Sequence, residues 1–144
     1  EVMPASDVGV VRSLQVMDDD VDVAITGDRV GVALRNLREQ SLHRGCMICV
    51  PGGGGLVSHE SSNFQLEVAP FQRKALSAGE VIHAASDLQF SVGRVSSIDG
   101  SSVTVDWESP IWIRADGSSR VLIVQLDAAP MRIMGSASDI EKIA

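Results

Sequence analysis

The chain has 144 residues, a formal net charge of −7 and 44% hydrophobic side chains, with a mean hydropathy of +0.15 and a pI near 4.8. That is enough apolar material for one ordinary domain or two small ones, and too much for a disordered acidic tail. The charge excludes broad electrostatic attraction to nucleic acid, so any such contact has to be local. No apolar run approaches the roughly 18 residues of a membrane helix, and two cysteines do not make a disulfide scaffold, so a reducing, cytoplasmic setting is expected.

Strand-like alternation dominates in chain order. Val8 to Val16 reads as a strand rich in β-branched residues. Asp18-Asp19-Asp20 reads as a turn tip, and Val21 to Ile25 leads to the loop residues Thr26-Gly27-Asp28. Val30, Val32 and Leu34 then alternate with Gly31, Ala33 and Arg35, the pattern of a half-buried strand. Leu37 to His43 is a helical turn or a loop, and Cys46 to Val50 is another strand. Pro51 and four glycines follow, which suggests a linker over residues 53–63.

Beyond it, strands are expected at Phe64 to Val68, Val81 to Ala84 and Leu88 to Val95. Asp99-Gly100 is a hairpin signal ahead of Val103 to Trp107. Ile111 to Ile113, Arg120 to Leu126 and Met131 to Gly135 complete the series, and only Ile140 to Ala144 looks helical. The expectation is an all-β chain of two small Greek-key barrels in tandem: a partial barrel over 1–52, the linker, a second barrel over 64–138 and a tail over 139–144.

Few residues suggest chemistry. The glycine run lacks the Lys-[Ser/Thr] of a phosphate loop. Cys46 and Cys49 form a C-x-x-C within a strand-like run, where residues three apart face opposite sides, so core cysteines are favoured over a metal or redox pair. His43, His59 and His83 are scattered, and His59-Glu60 reads as solvated linker. Trp107 and Trp112 offer stacking surfaces for bases, but filling a barrel core is the favoured reading. No metal site and no catalytic group are expected.

One stretch has a more specific pattern. Val11 to Gln15, Ala24 to Gly31, Arg44-Gly45 and Pro51-Gly52 follow one another in the order and spacing of the second domain of translational GTPases. This portion resembles that family, with SelB as the nearest type and elongation factor Tu and elongation factor 1-alpha behind it. Phe64 to Val68 and Met131 to Gly135 resemble the opening and closing strands of the third domain, although Ala137 replaces a second closing glycine. The resemblance implies binding of aminoacyl-tRNA beside an upstream GTPase domain or a partner chain that completes the first barrel, and association with the ribosome. It implies that Gln15 stands where a residue packs on the terminal adenosine. It likewise implies that Arg29 stands near the aminoacyl group, where a guanidinium suits an electron-rich side chain. Arg35 and Arg38 are possible further contacts, or simply solvated strand-end charges. Neither the phosphate loop nor the N-K-x-D base-reading motif occurs. The chain is therefore not expected to be an enzyme by itself, and GTP and magnesium are expected only where a GTPase domain lies upstream. A rival expectation is an interaction module that keeps the barrels and has lost tRNA delivery.

Overall fold

A computed structural model describes residues 1–52 and 55–143. It is almost entirely β, as expected, and divides into two compact units, Glu1–Gly53 and Gly54–Ala144. The glycines at 53 and 54, central to the expected linker, lie outside the described residues.

The first unit holds five strands: β1 (Val2–Met3), β2 (Val10–Val16), β3 (Asp19–Val21), β4 (Val30–Arg35) and β5 (Met47–Ile48). They form a three-stranded antiparallel sheet in the order β3-β2-β4 and a separate β1-β5 pair. The β2-β3 hairpin turns on Met17 and Asp18, one residue earlier than the acidic triplet suggested. Val16 pairs with Asp19, and both loop residues have positive φ, 51° and 69°, as a two-residue hairpin turn requires. Asp19 and Asp20 are therefore strand residues. A 3₁₀ turn at Glu39–Ser41 fills the segment read as a helical turn or loop. This unit, read from the sequence as a partial barrel, holds an open three-stranded sheet, and three strands are too few to close one. Val2 is the only fully buried large apolar side chain among the described residues of this unit, while Val23 and Ile25 are each 72% exposed.

The second unit is a closed barrel of six strands: β6 (Leu56–Val68), β7 (Val81–Ser86), β8 (Gln89–Asp99), β9 (Ser102–Arg114), β10 (Val121–Val124) and β11 (Ile133–Lys142). All pairings are antiparallel. The run β6-β9-β8-β7 is a Greek key: three consecutive strands with the preceding one beside the last. Alternate residues point inward, so Phe64, Leu66, Ile82, Ala84, Val95, Val103, Val105, Ile111, Ile113, Val121, Ile123 and Met134 meet in one core.

Two boundaries differ from the sequence reading. Residues 56–63 are not linker but the first half of β6, paired with β9 from Leu56↔Arg114 to Asn63↔Thr104. Their polar appearance arises because Ser58 and Ser61 are only half-buried, whereas Leu56, His59 and Ser62 are buried. The expected tail likewise belongs to β11, where Glu141 pairs with Asn63 and Lys142 with Ser62. The helical look of Ile140 onward gives way to a strand because β6 supplies a ladder for it.

β9 is one strand where two were expected, since Pro110 looked like a break. Its ladder with β6 runs His59↔Ile111 and then jumps to Ser61↔Asp106. Trp107 to Pro110 therefore face only Glu60 on that side, and the proline, which has no N–H to give, sits in the bulge. Trp107 remains paired with Gly93 of β8. Its indole packs against Gly93, where an added Cβ would collide with the ring. Its Nε1–H donates to Ser62 Oγ at 2.9 Å. Both tryptophans lie on this one strand and are half-buried; Trp107 packs against the core as expected, while Trp112 is not part of it.

Candidate functional site

The residues singled out by sequence lie in the first unit, on and beside β2 and β4. Directly opposed residues share a face of a sheet. The pairs Leu14↔Val32, Val16↔Val30, Val11↔Leu34 and Leu14↔Val21 therefore build one apolar face. The pairs Gln15↔Gly31, Ser13↔Ala33 and Gln15↔Asp20 build the other, with Arg35 opposite Val10 at its end. Arg12 is left over at a β-bulge between Val11 and Ser13. Arg29 precedes β4 by one residue and continues the series Gly31, Ala33, Arg35.

The second face is a shallow shelf. Its middle is made of the small residues Ser13, Gly31 and Ala33, and Gln15 stands at its border. Gln15 Nε2 donates to Asp20 Oδ1 at 2.9 Å, which fixes the amide across the β2-β3 pair. Gly31 keeps the floor low, and the nearest atoms to an added Cβ would be Gln15 Cβ and its carbonyl oxygen, both at 3.7 Å. Gln15, Arg29 and Arg35 are all exposed. The arrangement offers a flat floor, an oriented amide and two guanidinium groups in one series. It suits a planar ring and an electron-rich group better than it suits any proton transfer.

Arg38 belongs elsewhere. Asp7 Oδ2 accepts from the Arg38 backbone N–H at 2.9 Å, from Arg38 Nε at 3.2 Å and from Ser41 Oγ at 2.7 Å. The Ser41 hydroxyl, and then the Arg38 backbone N–H, hold the Asp7 carboxyl down at about 2. Arg38 thus clips the 3₁₀ turn to the loop that carries Asp7, although its side chain stays 69% exposed. Cys46 and Cys49 are free thiols, half-buried rather than in a core. No group of three or more potential metal ligands occurs among the described residues.

Sequence reasoning missed a buried polar cluster in the barrel. His59 is 4% exposed and Ser62 fully buried, and His59 Nδ1 lies 3.1 Å from Ser62 Oγ, which also receives the Trp107 indole. Burial, and then the nearby Lys142 charge, push the His59 pKa down. The signal for it was the two-residue period of Ser62-x-Phe64-x-Leu66 beyond a bulge, which the adjoining glycines and serines disguised as linker.

No model of a protein family matches the chain. It is 25% identical over 134 residues to an uncharacterised protein of Methanocaldococcus jannaschii, covering 93% of this chain and 42% of that protein. It is 24% identical over 153 residues to the selenocysteine-specific elongation factor of the same organism, covering 93% of this chain and 33% of the factor. The chain thus spans less than half the length of these curated relatives. Among solved structures, the translation elongation factor SelB of Methanococcus maripaludis in its apo form superposes over 100% of this chain and 36% of its own, with a TM-score of 0.82 at 20% identity. A bacterial selenocysteine-specific elongation factor superposes over 95% of this chain and 21% of its own, with a TM-score of 0.74 at 18% identity. Over its whole length, the chain therefore has the fold of part of a SelB-type elongation factor, and it is all-β, as expected. No helix among the described residues is long and apolar enough to cross a membrane.

Proposed function

We propose that this chain is the non-catalytic barrel portion of a SelB- or Tu-like translation elongation factor, and that it binds aminoacyl-tRNA beside a GTPase domain. In this reading the first unit belongs to the factor's second domain, completed by strands outside this chain, and the closed barrel is its third. The observation that carries the reading is the end-to-end superposition on SelB at a TM-score of 0.82. The shelf of β2 and β4 adds to it. The terminal base of tRNA would lie on the low floor at Gly31, against the Gln15 amide held by Asp20. Arg29 would meet the aminoacyl group, where a guanidinium attracts a selenolate or another electron-rich side chain.

Electrostatics favour a local contact over a diffuse one. A chain at −7 gains little from the polyanionic backbone of tRNA, so the charged end has to be read by a few placed groups. The same charge favours a second reading, an interaction module that keeps the barrels without tRNA delivery. Filter binding separates the two when the chain is fused behind the GTPase domain and first barrel strands of a SelB-type factor. Elongation-factor function predicts that the fusion, loaded with a GTP analogue, binds aminoacyl-tRNA at least tenfold more tightly than deacylated tRNA. Equal affinity for both, or for neither, leaves the interaction module.

A further inference from the structure

On one side of the closed barrel, β11 outruns its partner β10. β10 pairs with β11 from Val121↔Ala137 to Val124↔Ile133. Beyond Ala137, β11 runs on to Lys142 and pairs only with β6. Ser118 to Arg120, which lead into β10, form no strand and no ladder with β11. The outer edge of residues 138–142 is thus left without a strand beside it among the described residues. A cleft of about 650 Å³ lies there, between this edge and Gly117 to Leu122.

The cleft has a marked character. Ile113, Val121 and Ile140 give it apolar walls, and the serines at 118, 119, 136 and 138 line it with hydroxyls. Its charges are Arg120 against Glu67, Asp139 and Glu141, so carboxylates outnumber the cation three to one. All four charged residues are exposed. Lys142, the last residue of the same edge, adds a second cation beside the cleft although it does not line it.

We propose that this cleft receives an extended basic segment of a partner protein, which adds as a short strand to the free edge of β11. The edge carries a β-bulge between Ser138 and Glu141, so its ladder is shorter than the roughly 16 Å of five regular residues at about 3.3 Å each; main-chain hydrogen bonds along such an edge supply affinity while alternate side chains supply specificity. The carboxylates choose the sign of the partner. They also disfavour a second copy of this chain. Pairing of two such edges would bring the Asp139 and Glu141 carboxylates of both copies together, and like charges across a strand pair are destabilising. The positive φ of Asp139, 50°, bends the edge in a way that deters indiscriminate pairing. This inference does not depend on the tRNA reading.

The test uses the full chain and a fluorescein-labelled hexapeptide of alternating lysine and valine. Polarisation should report saturable binding, with the glutamate-valine counterpart at least tenfold weaker. N-methylation of alternate amides, which removes the donors of one edge but leaves charge and side chains in place, should weaken the basic peptide at least tenfold. Hydrogen exchange should slow at residues 138–142 on binding. Asp139→Asn combined with Glu141→Lys should weaken the peptide at least tenfold while tryptophan fluorescence reports an intact barrel. The proposal is overturned if acidic or N-methylated peptides bind as well as the basic one, or if the basic peptide leaves residues 138–142 unprotected. It is equally overturned if these amides are protected instead by oligouridylate, or by concentration-dependent dimerisation in sedimentation.

Discussion

Two residues show how single side chains hold local structure. Asp7 gathers three donors on one oxygen, and its carboxyl falls from an ordinary value of 3.8 to about 2. A depressed folded pKa contributes stability that is fully present above the unfolded value and is lost as pH falls through the folded one. The clip between Asp7, Ser41 and Arg38 should therefore hold above about pH 4 and release as pH falls towards 2. NMR titration of the Arg38 amide should show a midpoint near 2, and Asp7→Asn should abolish the transition. An Arg38 amide that titrates near 4 would contradict the clip. Gly135 has a different role. A Cβ there would collide with the Glu67 carbonyl across the β11–β6 ladder, so the strands approach closely only because glycine lacks a side chain. Gly135→Ala should cost about 1–3 kcal/mol, the range for overpacking, read as a lower urea midpoint. An unchanged midpoint would mean that the backbone relaxes freely. The sequence resemblance had marked this glycine as part of a closing-strand motif, and the close backbone approach is the physical reason for it.

At the scale of elements, alternation was legible wherever one face of a strand is buried and the other solvated. β4, β7 and the second half of β6 were readable for that reason. The reading failed where composition and pairing disagree. Ser58 to Asn63 look like linker, yet they form strand because β9 and β11 pair with them on either side. Pro110 looks like a terminator, yet it sits where β9 bulges and needs no donor. The β2-β3 turn lacks the glycine that normally announces one, so its tip was placed one residue late. The candidate site was legible by a separate route. Gln15 and Arg29 were named because the family resemblance implies contacts at their positions. The structure adds the cross-strand register, which sets Gln15 opposite Gly31 and Asp20, and the Arg38–Asp7 clip, which gives Arg38 a structural partner. Neither could be read from sequence, since register depends on the turn and on a bulge at Arg12.

For the whole molecule, the two units differ sharply in what they bury. The contiguous apolar core lies entirely in the closed barrel, whereas the open sheet leaves Val10, Val11, Val23 and Ile25 about half or more exposed. A 52-residue piece without a core falls below what burial stabilises. Residues 55–144 expressed alone should unfold cooperatively in urea, followed by Trp107 and Trp112, and residues 1–52 alone should show no cooperative transition by circular dichroism. A cooperative transition in the small piece would argue against a sheet that depends on further strands. Because the proposed function sets the first unit beside a GTPase domain and further strands, its test uses a fusion that supplies them. The most direct measurement is the rate at which the aminoacyl ester of charged tRNA hydrolyses in the presence of the fusion to a SelB-type GTPase domain, with Arg29 intact or as Arg29→Ala. A charge-assisted contact at the aminoacyl group is worth about 1.5–3 kcal/mol, or roughly tenfold or more in affinity. The account predicts that the intact fusion slows hydrolysis, and that Arg29→Ala needs at least tenfold more protein for the same protection while its affinity for deacylated tRNA is unchanged. Hydrolysis that is not slowed, or is slowed equally by both proteins, would contradict it.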